Sequence, residues 1–242
     1  KRIAEVASYL VPFMGSIYFG AMLIAIVLNI NLVIPAFLLI ITDAFSGTAI
    51  AGGTFFGVLI YGVRRGAFSN EAGMGTESLV HGVAKVSNPV KQGLVAMTGP
   101  IFDTLIICTA TALMILISGV WETSASQGVT LTAEAFSSLL GSFGGFVLFA
   151  CVICFGLSTI FTYSYYGASC SRFLFGKLGM RFYIYLYIIS IFVYSIVPID
   201  IAINIADGAF AMMAIPTLVS ALWLAPKVMQ ASKNYFKIIE GR

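Results

Sequence analysis

Six stretches of this chain are apolar for long enough to cross a lipid bilayer, and that feature constrains its fold more than any other. A bilayer core about 30 Å thick takes about 20 apolar residues of helix. The stretches cover 6–30, 49–68, 95–120, 143–166, 182–198 and 209–224, the last beginning after an Asp207-Gly208 turn. They predict an all-α polytopic membrane protein. Composition agrees: 60% of the residues are hydrophobic and 10% are charged, against about 25% charged in soluble domains. With a mean hydropathy of +1.00, the chain has too little polar surface to cover a water-soluble globule.

The connectors carry the orientation. Lys and Arg fall at one set of span ends, among them Lys85, Lys91, Arg172, Lys177, Arg181 and Lys227. The opposite connectors hold Asp43, Glu122, Glu134, Asp200 and Asp207 and neither Lys nor Arg. The positive side is expected to be cytoplasmic, which puts both chain ends on the cytoplasmic side of the cell membrane; five or seven spans would break the pattern. Segment 31–47 is apolar but is interrupted by Pro35 and Asp43, and reads as interfacial or re-entrant. Segments 81–93 and 121–136 read as polar connectors, the second with room for a short helix. The net charge of +3 comes without a basic block, so nucleic acid is not an expected partner. Cys151 and Cys154 form a CxxC, but they stand in an apolar run without further ligands and read as packing residues. The final residues, 239–242, match a protease-recognition linker and are set apart from the transmembrane part, 1–238.

Some polar residues do not belong in a plain span. Arg64, Arg65 and Glu71 lie toward the inner part of the second span, and Asp103 lies well inside the third. A charge at that depth costs several kcal/mol unless it is paired or solvated, so it marks a candidate functional site. Gly53, Gly57, Gly62 and Gly66 give the second span a small face for close helix contact. Gly66, Gly73 and Gly75 flank Phe68-Ser69-Asn70-Glu71 and weaken the helix there. The whole stretch, "GVRRGAFSNEAGMGTE" over 62–77, therefore reads as a broken span, not a loop. Non-helical backbone is tolerated at membrane depth only where it is buried in protein or lines a cavity. Its freed amides could meet a carboxylate and its carbonyls a cation. In the fourth span, Ser158, Thr159, Thr162 and Tyr163 offer hydroxyls. These bond back to carbonyls one turn earlier, or else Ser158 and Thr159 serve as hard ligands for sodium. His81 reads as interfacial.

"GVRRGAFSNEAGMGTE", "NPVKQGLVAMTGPIFDTLIICTATAL" and "STIFTYSYYG" together resemble the alanine/glycine:cation symporters, and the likeness runs from Lys1 to the last span. The resemblance implies a LeuT-type fold of two inverted five-helix repeats, each with its first helix broken at the substrate site. It implies that this chain corresponds to the C-terminal half, the second repeat plus the last helix of the first, and that it could not transport without the N-terminal half. It implies symport of alanine or glycine by alternating access, with sodium or a proton as coupling ion and no other cofactor. By resemblance, Phe68, Ser69, Asn70, Thr159 and Tyr163 line the substrate, and Ser158 with Thr159 coordinates sodium. Tyr163 stands where the family carries Trp, which leaves the pocket size open. Arg64, Arg65, Glu71 and Asp103 are expected to form a buried charge network. An ion channel or a structural membrane subunit is the competing reading. An intramembrane enzyme lacks the nucleophile, base or metal set it would need.

Overall fold

The computed structural model describes residues 2–45, 54–71 and 73–241. Every regular element among them is helical. In chain order they are α1 (Arg2–Leu28), α2 (Ile30–Ala44), α3 (Thr54–Asn70), α4 (Thr76–His81) and α5 (Pro89–Ala96). A π-helical run, Ile101–Cys108, leads into α6 (Thr109–Ser118), followed by α7 (Val120–Thr123), α8 (Val129–Ile196) and α9 (Ile199–Glu240). Four helical segments among the described residues are long and apolar enough to cross a membrane: Leu10–Leu28, Pro89–Ser118, Val129–Ile196 and Ile199–Ile239. Their outer faces are what a lipid-embedded surface requires. Leu178, Leu222 and Trp223 are each about four-fifths exposed, as water would not tolerate in such numbers.

The 68-residue α8 is not one rod. Gly141 and Gly176 adopt left-handed φ values of 67° and 70° inside it. In a straight helix, residues eight apart are separated by about 12 Å and residues sixteen apart by about 24 Å. Yet the Phe136 carbonyl lies against Gly144, and the Tyr183 ring fills the space a Cβ on Gly167 would need. The chain thus doubles back at both glycines into arms 129–140, 142–175 and 177–196. The expected span 143–166 falls within the second arm, and 182–198 overlaps the third, which ends at Ile196. The last arm is about 30 Å long, the thickness of a bilayer core.

One expectation is corrected. Asp207-Gly208 is not a turn: α9 begins earlier, at Ile199, and runs through both residues. Pro198 sets the start, because its ring cannot continue a preceding helix and suits the entry to the next one. Asp200 in the first turn complements the positive end of the helix dipole.

The chain divides into two compact units, 1–63 with 103–163 and 64–102 with 164–242. In the first, α1 packs on α6 through residues three and four apart. Tyr18, Ala21, Met22 and Ala25 meet Ala110 and Met114, with Phe136, Val147, Leu148 and Cys151 completing the core. Cys151 is a buried free thiol in this core. The Tyr18 ring stacks on Phe136 with centroids 5.5 Å apart and meets Phe155 edge-on at 5.9 Å. Its hydroxyl is 3.0 Å from that of Thr111, which also bonds the Ile107 carbonyl at 2.9 Å. Ala36 of α2 joins Leu113 and Ile117 on the adjoining face of α6.

In the second unit, Asn88 caps α5 by accepting from the Val90 amide at 2.9 Å, and Pro89 is the first helical residue. Gln92 of α5 then meets His81 Nδ1 at 2.6 Å, which ties α5 to the end of α4.

Phe136 is fully buried, so truncating it removes a whole ring from the first unit. Phe136→Ala is expected to cost about 3–5 kcal/mol and to lower the thermal midpoint in detergent. An unchanged midpoint would mean that this contact does not hold the unit together.

Candidate functional site

Helix α3 stops at Asn70 and α4 starts at Thr76, so the backbone between them has left the helical ladder. The interruption begins one residue after Asn70: Ser69 and Asn70 are still helical, while Glu71, Gly73 and Gly75 have φ values of 52°, 81° and 91°. A left-handed backbone is uncommon for a residue with a side chain, so Glu71 holds local strain of the kind stored at functional sites.

Thr217 of α9 wedges the interruption. Its hydroxyl donates to the Gly73 carbonyl, and its methyl sits where a side chain on Gly75 would have to go. The same hydroxyl also lies 3.0 Å from the Met213 and Ala214 carbonyls of its own helix. It follows Pro216, which lacks the amide hydrogen that would continue the ladder. A weakened place in α9 is therefore set against the gap between α3 and α4.

A cleft of about 390 Å³ opens beside the interruption, lined by Arg64, Ala67, Phe68 and Met74 on one side and Asn204, Asp207, Phe210 and Ala211 on the other. Phe68 meets Phe210 edge-on, with centroids 4.8 Å apart. Arg64 Nη1 is 3.4 Å from Asp207 Oδ2; the Arg64 side chain is 49% exposed and that of Asp207 13%. Sequence reasoning placed Asp207 in a connector and so missed it as the partner of Arg64. The three-residue spacing of Asn204 and Asp207 on one helix face was the available signal, hidden by the assumed turn.

The other candidate residues have distinct settings. Arg65, Ser69, Asn70 and Glu71 belong to the second unit with Phe68; Asp103, Ser158, Thr159 and Tyr163 belong to the first. Asp103 sits in the π-helical run and accepts from the Thr104 hydroxyl at 3.4 Å. Such widened turns recur at functional sites. Ser158 and Thr162 donate to the Phe155 and Ser158 carbonyls at 2.9 and 2.7 Å. Bonding back in this way still leaves each hydroxyl oxygen its lone pairs. Thr159 points to an exposed face of the helix. Thr76 was not singled out from the sequence. Its hydroxyl is the buried side-chain oxygen left without a hydrogen-bond partner among the described residues.

A helical membrane protein with a helix interrupted beside a charged, aromatic-walled cleft has the build of a membrane transporter. The chain belongs to the sodium:alanine symporter family, whose sequence profile matches residues 1–241. It is 36% identical over 98% of its length to an uncharacterized transporter of Haemophilus influenzae, covering 53% of that protein. It is 35% identical over 98% of its length to the sodium/alanine symporter AgcS of Methanococcus maripaludis, covering 53% of it. Similarity to the "Probable sodium/glutamine symporter GlnT" of Bacillus subtilis is 34% over 97% of the chain and 49% of that protein. The chain thus spans about half the length of the curated relatives it matches.

Three substitutions test the interruption. Gly75→Ala is expected to cost about 1–2 kcal/mol for its left-handed backbone alone, and more through collision with the Thr217 methyl. Adding Thr217→Ser, which keeps the hydroxyl and removes the methyl, should recover only the steric part in a melting series. Thr76→Val removes an unpartnered buried oxygen and is expected to stabilise by about 1 kcal/mol; a lower melting point would show that the hydroxyl has a partner in the working protein.

Proposed function

We propose that this chain is the C-terminal half of a sodium-coupled importer of small neutral amino acids, alanine or glycine, and that it acts with an N-terminal half of the same transporter. The observation that carries this reading is the helix interruption at 71–75 beside Phe68, in a chain that matches the symporter family over nearly its whole length. The fold we infer is LeuT-type: the second of two inverted repeats together with the last helix of the first. An interrupted helix supplies free amide and carbonyl groups for a substrate and its coupling ion at membrane depth.

In this mechanism Phe68, Ser69 and Asn70 of α3 take part in substrate binding, as do Thr159 and Tyr163 of α8. Ser158 and Thr159 offer hydroxyl oxygens to sodium, which the transporter carries as a co-substrate. Arg64, Arg65, Glu71 and Asp103 supply the charges of the transporter's polar network, and polar surroundings are what make a break in a membrane helix tolerable. The protein resides in the cell membrane with both ends of this chain cytoplasmic. The N-terminal part of α9 then lies toward the outside, and its pairing with Asp207 moves Arg64 outward from the inner position its sequence context implies. Access alternates as the two repeats rock about the site.

The test is uptake of labelled alanine into liposomes by the complete transporter containing this chain. Uptake is expected to saturate and to rise severalfold with an inward sodium gradient. Linear uptake without saturation would overturn symport in favour of a channel, and dependence on a pH gradient alone would transfer the coupling to protons. Thr159→Val, which deletes the shared hydroxyl, is expected to reduce sodium-driven uptake by about tenfold, the equivalent of one strong polar contact. Tyr163→Trp should shift preference toward glycine by filling the site. Unchanged kinetics in both variants would remove these residues from the site.

A further inference from the structure

The cleft at Arg64 and Asp207 has a chemistry that the break alone does not explain. It presents both signs of charge side by side. A simple anion drawn to Arg64 meets the Asp207 carboxylate, and a simple cation drawn to Asp207 meets the guanidinium, so the cleft suits neither. The pair is also loosely closed. Its single contact is 3.4 Å, whereas tight charge-assisted contacts run about 2.7–2.9 Å. Arg64 makes this one hydrogen bond among the described residues, and a guanidinium carries five donors. Asp207 likewise has its second oxygen left over.

We propose that this cleft is a binding subsite for the charged ends of a zwitterionic α-amino acid, Arg64 receiving the carboxylate and Asp207 the ammonium. The proposal rests on the transport reading above for its ligand class. An α-amino acid carries opposite charges on one carbon, a dipole that matches the Arg64–Asp207 dipole laid antiparallel to it. Asp207 is largely buried, and a buried charge deprived of its partner is strongly destabilised. A zwitterion can pull Arg64 toward its own carboxylate while its ammonium takes Arg64's place at Asp207, so no charge is left alone. A ligand with only one of the two charges leaves the other protein group unpaired, and this rejects it. The rest of the cleft favours a small side chain: Phe68 and Phe210 form an aromatic wall, and Ala67 and Ala211 leave room beside it.

The experiment uses the complete transporter in detergent and measures displacement of labelled alanine. Unlabelled alanine is expected to compete at least ten times better than alaninamide, which lacks the carboxylate, or propionate, which lacks the ammonium. Arg64→Gln and Asp207→Asn should each raise the half-competing alanine concentration at least tenfold. The charge swap Arg64→Asp with Asp207→Arg should remain weak, because it turns the ligand's side chain away from the aromatic wall; a merely structural ion pair would be rescued by it. Ala211→Cys, in a protein freed of its native cysteines, should react more slowly with maleimide when alanine is present and at its free rate with alaninamide. That arm decides the matter if a charge variant fails to fold. Alanine affinity within twofold of the parent in both single variants, full rescue by the swap, or no protection of Ala211→Cys by alanine each overturns the subsite. Sodium-driven uptake that persists alongside those results leaves transport standing without the subsite. Protection at Ala211→Cys without sodium-driven uptake leaves the subsite standing without transport.

Discussion

A helix that ends among apolar surroundings must find partners for the backbone groups it releases, and the second unit is arranged around that requirement. The gap between Asn70 and Thr76 takes the Thr217 hydroxyl on its Gly73 carbonyl and the Thr217 methyl against Gly75. Without this contact the freed Gly73 carbonyl would lose its hydrogen bond to the protein. The match is reciprocal, since Thr217 follows a proline that has already loosened α9. Two weakened backbones meeting through one hydroxyl can change conformation at less cost than two complete helices.

The parts of the fold legible in the sequence are those set by short-range chemistry. The glycines at 73 and 75 announce a broken helix because they alone among residues adopt left-handed backbone without penalty. Asn88-Pro89 marks the start of α5 for similarly local reasons. The long apolar stretches are legible because lipid leaves little choice of backbone. Asp207-Gly208 shows where local reading fails. An acid and a glycine between apolar runs look like a turn, but Pro198 starts the helix earlier, and the acid is held within it by an arginine 143 positions away. No window of neighbouring residues contains that partner. The same holds for Thr217, whose importance depends on where Gly75 passes it.

The candidate site was legible unevenly for the same reason. Phe68 could be singled out by resemblance and by its place beside the glycines, and the structure sets it in a cleft edge-on to Phe210. Ser158 and Thr162 illustrate a limit of a different kind. Hydroxyl-rich helix faces can serve an ion or bond back to the helix, and here the back-bonds are formed. The two uses are not exclusive, because a hydroxyl that donates its hydrogen keeps its lone pairs for a cation. Composition cannot tell a back-bonded hydroxyl from one that does both, since both uses ask for the same residues at the same spacing.

Charge and helix irregularity coincide in each unit taken by itself. In the first, Asp103 occupies a π-helical run, where the wider turn displaces carbonyls from their usual partners. In the second, Glu71 stands in left-handed backbone at the point where α3 ends, six residues beyond Arg65 and seven beyond Arg64. An ionised side chain within a membrane protein needs polar company, and a regular helix offers none because its own ladder consumes it. An irregular turn releases such company as free backbone amides, from which a carboxylate can accept. Each feature would be costly alone. Together they concentrate polarity at a few positions and leave the surrounding helices free to be as apolar as the bilayer requires.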